Sequence, residues 1–107
     1  MVRPGDVVVV DFTGATLTKG RPMVVISSAG YHQHRPDVIV GLLTTNIAAA
    51  TATSDFVLQD WKLAGLAKPS AFRTYLGMEG QSDLRIIGHL SARDWQGVAA
   101  AVRNAIG

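Results

Sequence analysis

Short apolar segments rich in β-branched residues recur along the chain, separated by glycine, proline and small polar residues. Segments of this length and composition favour buried strands over helices. The predicted strands are residues 7–12, 22–26, 38–43, 56–58, 70–76 and 85–90. The pattern therefore predicts a β-rich chain with short connections.

The segments between these strands are expected to be irregular. Residues 13–20 contain two glycines and three threonines, and residues 31–36 form a polar turn whose final proline disfavours helix just before it. Residues 47–53 are predicted as a loop or a poor helix, and residues 77–83 must turn before the last strand.

The C-terminal segment carries the clearest helical pattern. Ser91 followed by Asp94 resembles an N-cap pair. Apolar side chains then recur at helical spacing, and this stripe is expected to pack on the sheet: Trp95, Val98, Ala99, Val102 and Ile106.

These elements predict a mainly β fold with α (α+β). The sheet is expected to be a small curled antiparallel sheet or an SH3-like partly closed barrel, with a C-terminal amphipathic helix. A length of 107 residues suits one compact domain, residues 1–107, and is too short for two.

Composition narrows the function classes. The absence of cysteine excludes a disulfide scaffold, cysteine-ligated zinc and a thiol nucleophile. A charged share of only 17% favours a partner that covers apolar surface, such as a second copy of the chain. A net charge of +2 permits nucleic-acid binding without requiring it. The N-terminus has neither a signal peptide nor a membrane span, so we expect a cytoplasmic protein without membrane association.

Five short motifs follow one another along the chain. They are Gly-Asp-Val at residues 5–7, Arg-Pro-Met-Val-Val-Ile-Ser at 21–27, Leu-Leu-Thr-Thr-Asn at 42–46, Lys-Pro-Ser-Ala-Phe-Arg at 68–73 and Ile-Gly-His-Leu-Ser at 87–91. Each motif alone is unspecific. In this order, over nearly the whole chain, they resemble the MazF/PemK toxins (mRNA interferases) of type II toxin–antitoxin systems.

The resemblance implies a sequence-specific, metal-independent endoribonuclease that cleaves single-stranded RNA, forms a homodimer, needs no cofactor and is inhibited by a cognate antitoxin. In such a reaction the RNA 2′-hydroxyl attacks the adjacent phosphodiester and leaves a 5′-hydroxyl product, so the protein must supply donors to the phosphate. The resemblance assigns Arg21 and Thr44 to the scissile phosphate, with Arg73 assisting.

Local sequence bears on these roles. Pro22 restrains Arg21 towards an extended backbone. Thr44 is preferred to Thr45 as a phosphate contact because successive strand residues point to opposite faces, although a strand-end threonine commonly bonds to its own backbone instead. Thr45, Asn46 and Lys19 are candidate RNA contacts.

Alternation also predicts that Arg73 and Tyr75 share one face of the later strand. A phosphate clamp beside an aromatic stacking platform would hold single-stranded RNA. The alternative is a solvated Arg73 beside a half-buried, packing Tyr75.

The chain departs from the family pattern in its proton-transfer groups. Members often carry an acid or a histidine in the first loop and an acid two positions after the later basic residue. In this chain the first loop has threonines and Lys19, and the position two residues after Arg73 is Tyr75. His32 and His34 are interpreted as surface residues, and His89 as structural. Two alternatives therefore stay open: a catalytically degenerate binding module on the toxin fold, and a small β-barrel interaction domain unrelated to RNA.

Overall fold

The computed structural model describes residues 1–10 and 21–107. The strands are β1 Asp6–Val10, β2 Met23–Val25, β3 Asp37–Thr44, β4 Asp55–Val57, β5 Ala71–Gly80 and β6 Leu84–His89. The helices are α1 Ala29–His34 and α2 Ala92–Ile106, and single 3-10 turns span Ile47–Ala49 and Gln81–Asp83. Neither α-helix is long and apolar enough to cross a membrane.

The six strands form one antiparallel sheet in the order β4-β5-β3-β2-β1-β6. Within the described ranges, the outer strands β4 and β6 pair on one side only, so the sheet is open and does not close into a barrel. This architecture, with the helix α2 at its end, confirms the predicted α+β fold class and selects the sheet over the barrel.

Successive strand residues divide between two apolar clusters, one on each face of the sheet. Val7, Val24, Leu43 and Phe72 pack with the buried Val98 and Ala101 of α2. The opposite face carries a second cluster formed by Val2, Val8, Val25, Val38 and Val40. Side chains of α2 therefore cover one face, which is called the helix face below. The other face does not contact α2, although its central valines are buried as well, and it is called the open face.

Of residues 31–36, which were predicted as a polar turn, residues 31–34 belong instead to α1. The Ser28 hydroxyl accepts a hydrogen bond from Tyr31 N at 3.1 Å and caps the helix, which ends before Pro36 as that proline requires. The surface assignment of His32 is wrong, because its side chain is buried and its Nε2 lies 2.5 Å from Ser27 Oγ. His34 is exposed.

The strand β5 extends through residues 77–80, where a turn was predicted. Each of these residues has a partner on β3, from Val40 opposite Gly77 to Asp37 opposite Gly80. The pairing with β3 keeps the chain extended, so the turn comes only at Gln81–Asp83. A register shift opposite Gly41 and Leu42 leaves two extra residues, Thr74 and Tyr75, on the β5 side.

The Gly-Asp motif builds the entry to β1. Gly5 has a φ of +90°, a conformation that glycine adopts without steric cost, and Asp6 then accepts a hydrogen bond from Arg3 N at 2.9 Å. The same carboxylate lies 2.8 Å from His89 Nδ1 on the paired strand β6. Asp6 thus joins the first turn to β6, and His89 has the structural role predicted for it.

The start of α2 is fixed by two carboxylates. Ser91 accepts a hydrogen bond from Asp94 N, as the cap pattern predicted, and the fully buried Asp94 carboxylate accepts from Gln59 N at 2.9 Å and Asp60 N at 2.8 Å. Asp60 accepts from Ser91 Oγ and from two nitrogens of Arg93. The hydrogen bonds from Arg93 and then Ser91 lower the pKa of Asp60 to about 2.

Candidate nucleic-acid interface

Arg21 and Thr44 are brought together by the pairing of β2 with β3. Met23 lies opposite Leu42, and Leu43 N donates to Pro22 O at 3.1 Å, so the pairing continues one residue beyond β2. Continued by one more position, the same register sets Arg21 opposite Thr44. Directly opposed residues on neighbouring antiparallel strands have Cβ atoms about 4.5–5.5 Å apart. By this register the two positions are neighbours, and the sequence analysis assigned both of them to the scissile phosphate.

Arg73 belongs to the adjacent row of the same face. It lies opposite Leu42 of β3, and Leu42 is two residues from Thr44, so the two positions point the same way. The intervening Leu43 and its partner Phe72 pack in the helix-face cluster. Arg21, Thr44 and Arg73 consequently share the open face of the sheet.

Arg21 and Thr44 each offer a hydrogen-bond donor. Arg21 is exposed, so its guanidinium is accessible to a ligand. The Thr44 hydroxyl accepts a hydrogen bond from Asn46 N at 3.1 Å, which is the local backbone bond considered as an alternative role for this residue. A hydroxyl that accepts from an amide keeps its own proton for donation. The backbone bond and a phosphate contact are therefore compatible.

Arg73 and Tyr75 contact each other, as strand alternation predicted. The Arg73 Cζ lies 4.8 Å from the centroid of the Tyr75 ring, a cation–π geometry. Tyr75 is 60% exposed, so it is not the packing residue of the alternative interpretation. Its ring offers a face to solvent beside a cation.

Asp55 is a residue of this face that the sequence analysis missed. It lies opposite Arg73 in the β4–β5 register, and its Oδ1 is 3.6 Å from Arg73 Nε. The family pattern has its acids in the first loop and two positions after the later basic residue, so it gave no signal for Asp55. Asp55 stands directly before the predicted strand 56–58, but only the strand pairing brings it to Arg73.

Two of the remaining predicted residues lie at the end of β3. Thr45 and Asn46 are exposed directly after β3. Lys19 lies outside the described residues, as do the threonines of the first loop. The site therefore consists, within residues 1–10 and 21–107, of Arg21, Thr44, Arg73, Tyr75 and Asp55, with Thr45 and Asn46 at its border.

The three histidines lie away from Arg21 and Thr44. His32 and His34 are in α1, which connects β2 to β3 at the end opposite Arg21 and Thr44. His89 contacts Asp6 at the start of β1. The strand β2, which follows Arg21, begins with Met23, and Met23 pairs with Val8 further along β1. None of them is a substitute base for this site. Among the described residues, no group of three or more histidine, aspartate or glutamate side chains is arranged to hold a metal ion.

The sequence of the chain matches a family of known proteins. The family described as PemK-like, MazF-like toxin of type II toxin–antitoxin system matches residues 3–106. No curated protein sequence matches the chain significantly.

Several solved structures share the fold. An endoribonuclease in complex with its cognate antitoxin from mycobacterial species has a TM-score of 0.77 at 17% identity, covering 100% of this chain and 96% of that one. The Mycobacterium tuberculosis toxin MazF-mt6 has a TM-score of 0.72 at 22% identity, with 94% and 95% covered. A MazE–MazF structure from Deinococcus radiodurans has a TM-score of 0.74 at 18% identity, with 99% and 95% covered. At these identities the likeness concerns the fold.

Proposed function

This chain belongs to the PemK-like, MazF-like toxins of type II toxin–antitoxin systems, and we propose that it is a sequence-specific endoribonuclease that cleaves single-stranded mRNA without a metal ion. The observation that carries the proposal is the β2–β3 register, which, continued past Pro22, sets Arg21 opposite Thr44 on the face that also holds Arg73. Two solved relatives of the same fold are described as endoribonucleases.

The reaction uses the nucleophile that RNA itself supplies. The 2′-oxygen forms a bond to the adjacent phosphorus while the bond from phosphorus to the 5′-oxygen breaks. The 2′-hydroxyl proton leaves to solvent and the 5′-oxygen takes up a proton. The products are a 2′,3′-cyclic phosphate on the upstream fragment and a 5′-hydroxyl on the downstream fragment.

The protein stabilises the charge that develops on the phosphate oxygens. Arg21 donates through its fixed planar guanidinium, whose orientation benefits from Pro22. Thr44 adds a hydroxyl donor to the same phosphate, and Arg73 adds a second positive charge. Removing one preorganised donor of this kind typically costs about 10²–10³-fold in kcat.

Substrate binding extends beyond the phosphate. Thr45, Asn46 and Lys19 contact the RNA, and the exposed ring of Tyr75 stacks on a base. Base–aromatic stacking is worth about 1–3 kcal/mol per base and tolerates any base. The sequence preference therefore depends on groups other than Tyr75.

Two protein partners complete the proposal. The chain, as one domain of residues 1–107, forms a homodimer. Support comes from Leu76 and Met78 of β5, which are exposed and lie beyond the residues 71–73 that pair with the described part of β4.

A cognate antitoxin blocks the site, since solved relatives include an endoribonuclease with its antitoxin. An acidic antitoxin segment would complement Arg21 and Arg73. Because the proposed substrate is mRNA, we place the toxin in the cytoplasm.

A cleavage assay in excess EDTA tests the function. We expect a long unstructured RNA to be cut and the downstream fragments to carry 5′-hydroxyl ends, which polynucleotide kinase labels without prior phosphatase treatment. Arg21→Ala should lose cleavage, while Arg103→Ala, an exposed arginine on α2, should keep it.

A non-catalytic binding module is the second candidate function. It is favoured by one observation: the side chain of Asp55, the carboxylate beside Arg73, is 95% buried and so is poorly placed to exchange protons with RNA. If RNA stays intact across several sequences but binds in an Arg21-dependent way, this second function replaces the first.

A further inference from the structure

The open face contains a buried carboxylate beside one of its cations. We propose that Asp55 is a positioning residue for Arg73: it holds the guanidinium against Tyr75 so that its outer nitrogens point at the RNA phosphate. The inference rests on the proposed ribonuclease function for its kinetic consequence, but the Asp55–Arg73 contact itself is independent of that function.

Asp55 is anchored by one carboxylate oxygen and by its backbone amide. Its Oδ2 accepts a hydrogen bond from Ala52 N at 3.2 Å, and its backbone N donates to Ala52 O at 3.0 Å, so the residue closes a tight turn. Next to it the Thr74 hydroxyl donates to Ser54 O and joins this turn to β5. The other oxygen, Oδ1, is then directed at Arg73 from a fixed base.

Arg73 is held from two directions. Its Nε is buried and lies 3.6 Å from Asp55 Oδ1, without a hydrogen-bond partner among the described residues. The Arg73 Cζ lies 4.8 Å from the centroid of the Tyr75 ring. The side chain as a whole is 27% exposed. Since Nε is buried, a phosphate would bind at the terminal nitrogens.

The charge of Asp55 has two opposing effects on RNA. It partly neutralises Arg73, which weakens ground-state attraction to a phosphate, and it fixes the guanidinium, which lowers the cost of orientation in the transition state. Removal of the charge should therefore reduce kcat without weakening RNA binding. A residue that served only to close its turn would instead change the amount of folded protein.

Asp55→Asn is the discriminating variant, because an amide oxygen can still accept from Ala52 N while the negative charge is lost. We expect kcat to fall about tenfold in Asp55→Asn and the Kd for a 2′-O-methyl RNA of the cleaved sequence to stay the same or decrease. In an Arg73→Ala background the same change should alter kcat less than about twofold. Asp83→Asn, an exposed carboxylate in the Gln81–Asp83 turn, is the matched control and should behave like wild type.

Asp55→Glu separates charge from folding. It keeps the negative charge, so it should retain more kcat than Asp55→Asn when both are assayed at a temperature where circular dichroism shows them folded. Equal losses in the two variants, or an undiminished effect of Asp55→Asn in the Arg73→Ala background, would overturn the positioning role.

An RNA-free measurement distinguishes failure of this inference from failure of the proposed function. The ¹⁵N relaxation of the Arg73 Nε–H group, assigned by its disappearance in Arg73→Lys, should report an ordered side chain in wild type and nanosecond mobility in Asp55→Asn. Unchanged order would refute the contact whether or not RNA is cut. Loss of order in a protein that cuts no RNA would keep the contact and reject the ribonuclease.

Discussion

The buried carboxylate of Asp94 is expected to be a principal stabiliser of this fold. It lies in the first turn of α2 and is fully buried, and it accepts hydrogen bonds from Gln59 N and Asp60 N, more than thirty residues earlier in the chain. Asp94→Ala removes both acceptors while preserving helix propensity. The variant therefore tests the connection between α2 and the segment after β4.

The structure sets the size of the effect. Hydrogen bonds to a charged group contribute about 1.5–3 kcal/mol each, so two of them give roughly 3–6 kcal/mol. Burial of the carboxylate opposes this, so we expect a net loss of about 3 kcal/mol for Asp94→Ala. Total stability is typically about 5–15 kcal/mol, and 1 kcal/mol shifts the Tm of a domain this size by about 4–8 °C. The expected fall in Tm is roughly 12–24 °C.

Asp94→Asn should lose about half as much. The amide keeps one acceptor oxygen but presents an N–H group to the second backbone amide, so one of the two bonds is lost. Gln96→Ala, at an exposed position of α2, is the control and should leave stability within about 0.5 kcal/mol of wild type.

Urea unfolding followed by far-UV circular dichroism gives the free energies, and the fluorescence of Trp61 and Trp95 reports the same region. Hydrogen exchange adds a local measure, since the amides of Gln59 and Asp60 should lose protection in both Asp94 variants. A free energy of unfolding for Asp94→Ala within about 1 kcal/mol of wild type, at an unchanged m-value, would refute this reasoning.

Three further predictions concern the site, the packing and the pH dependence. Arg21→Ala should lower kcat about 10²–10³-fold with unchanged Tm, and single-turnover cleavage with thermal melting would test it; activity within threefold of wild type contradicts the phosphate role. Gly41→Ala should destabilise the fold by about 2 kcal/mol in urea unfolding, because its Cβ would overlap the fully buried Phe72 ring; neutrality would show that the ring can move. The pKa of Asp60 in the folded protein, about 2, lies below the ordinary value of 3.8, so the pairing of Asp60 with Arg93 stabilises the protein above pH 4 and this stabilisation is lost as the pH falls towards 2. The difference in Tm between wild type and Asp60→Asn should therefore shrink over that range, and a constant difference would contradict the pairing.

Local sequence determined the strands, the start of α2 and the shared face of Arg73 and Tyr75. The β-branched segments form strands because such side chains fit a pleated, half-buried surface, and α2 begins at Ser91 because the hydroxyl satisfies a free backbone amide. Alternation along β5 also placed Arg73 and Tyr75 on one face, since strand periodicity is a property of the backbone. These features depend on residues close together in the chain.

Tertiary structure decided the rest. The helix α1 was missed because its six residues form a helix around a buried His32 that contacts Ser27, a contact that polar composition does not reveal. The extension of β5 depends on its pairing with β3, and the Asp55–Arg73 pair depends on the register of β4 with β5. Strand order and register arise from contacts between distant segments, whose energies appear only when the whole sheet is assembled. The sequence alone therefore indicated most residues of the candidate site, and the fold added Asp55 and determined which of them face one another.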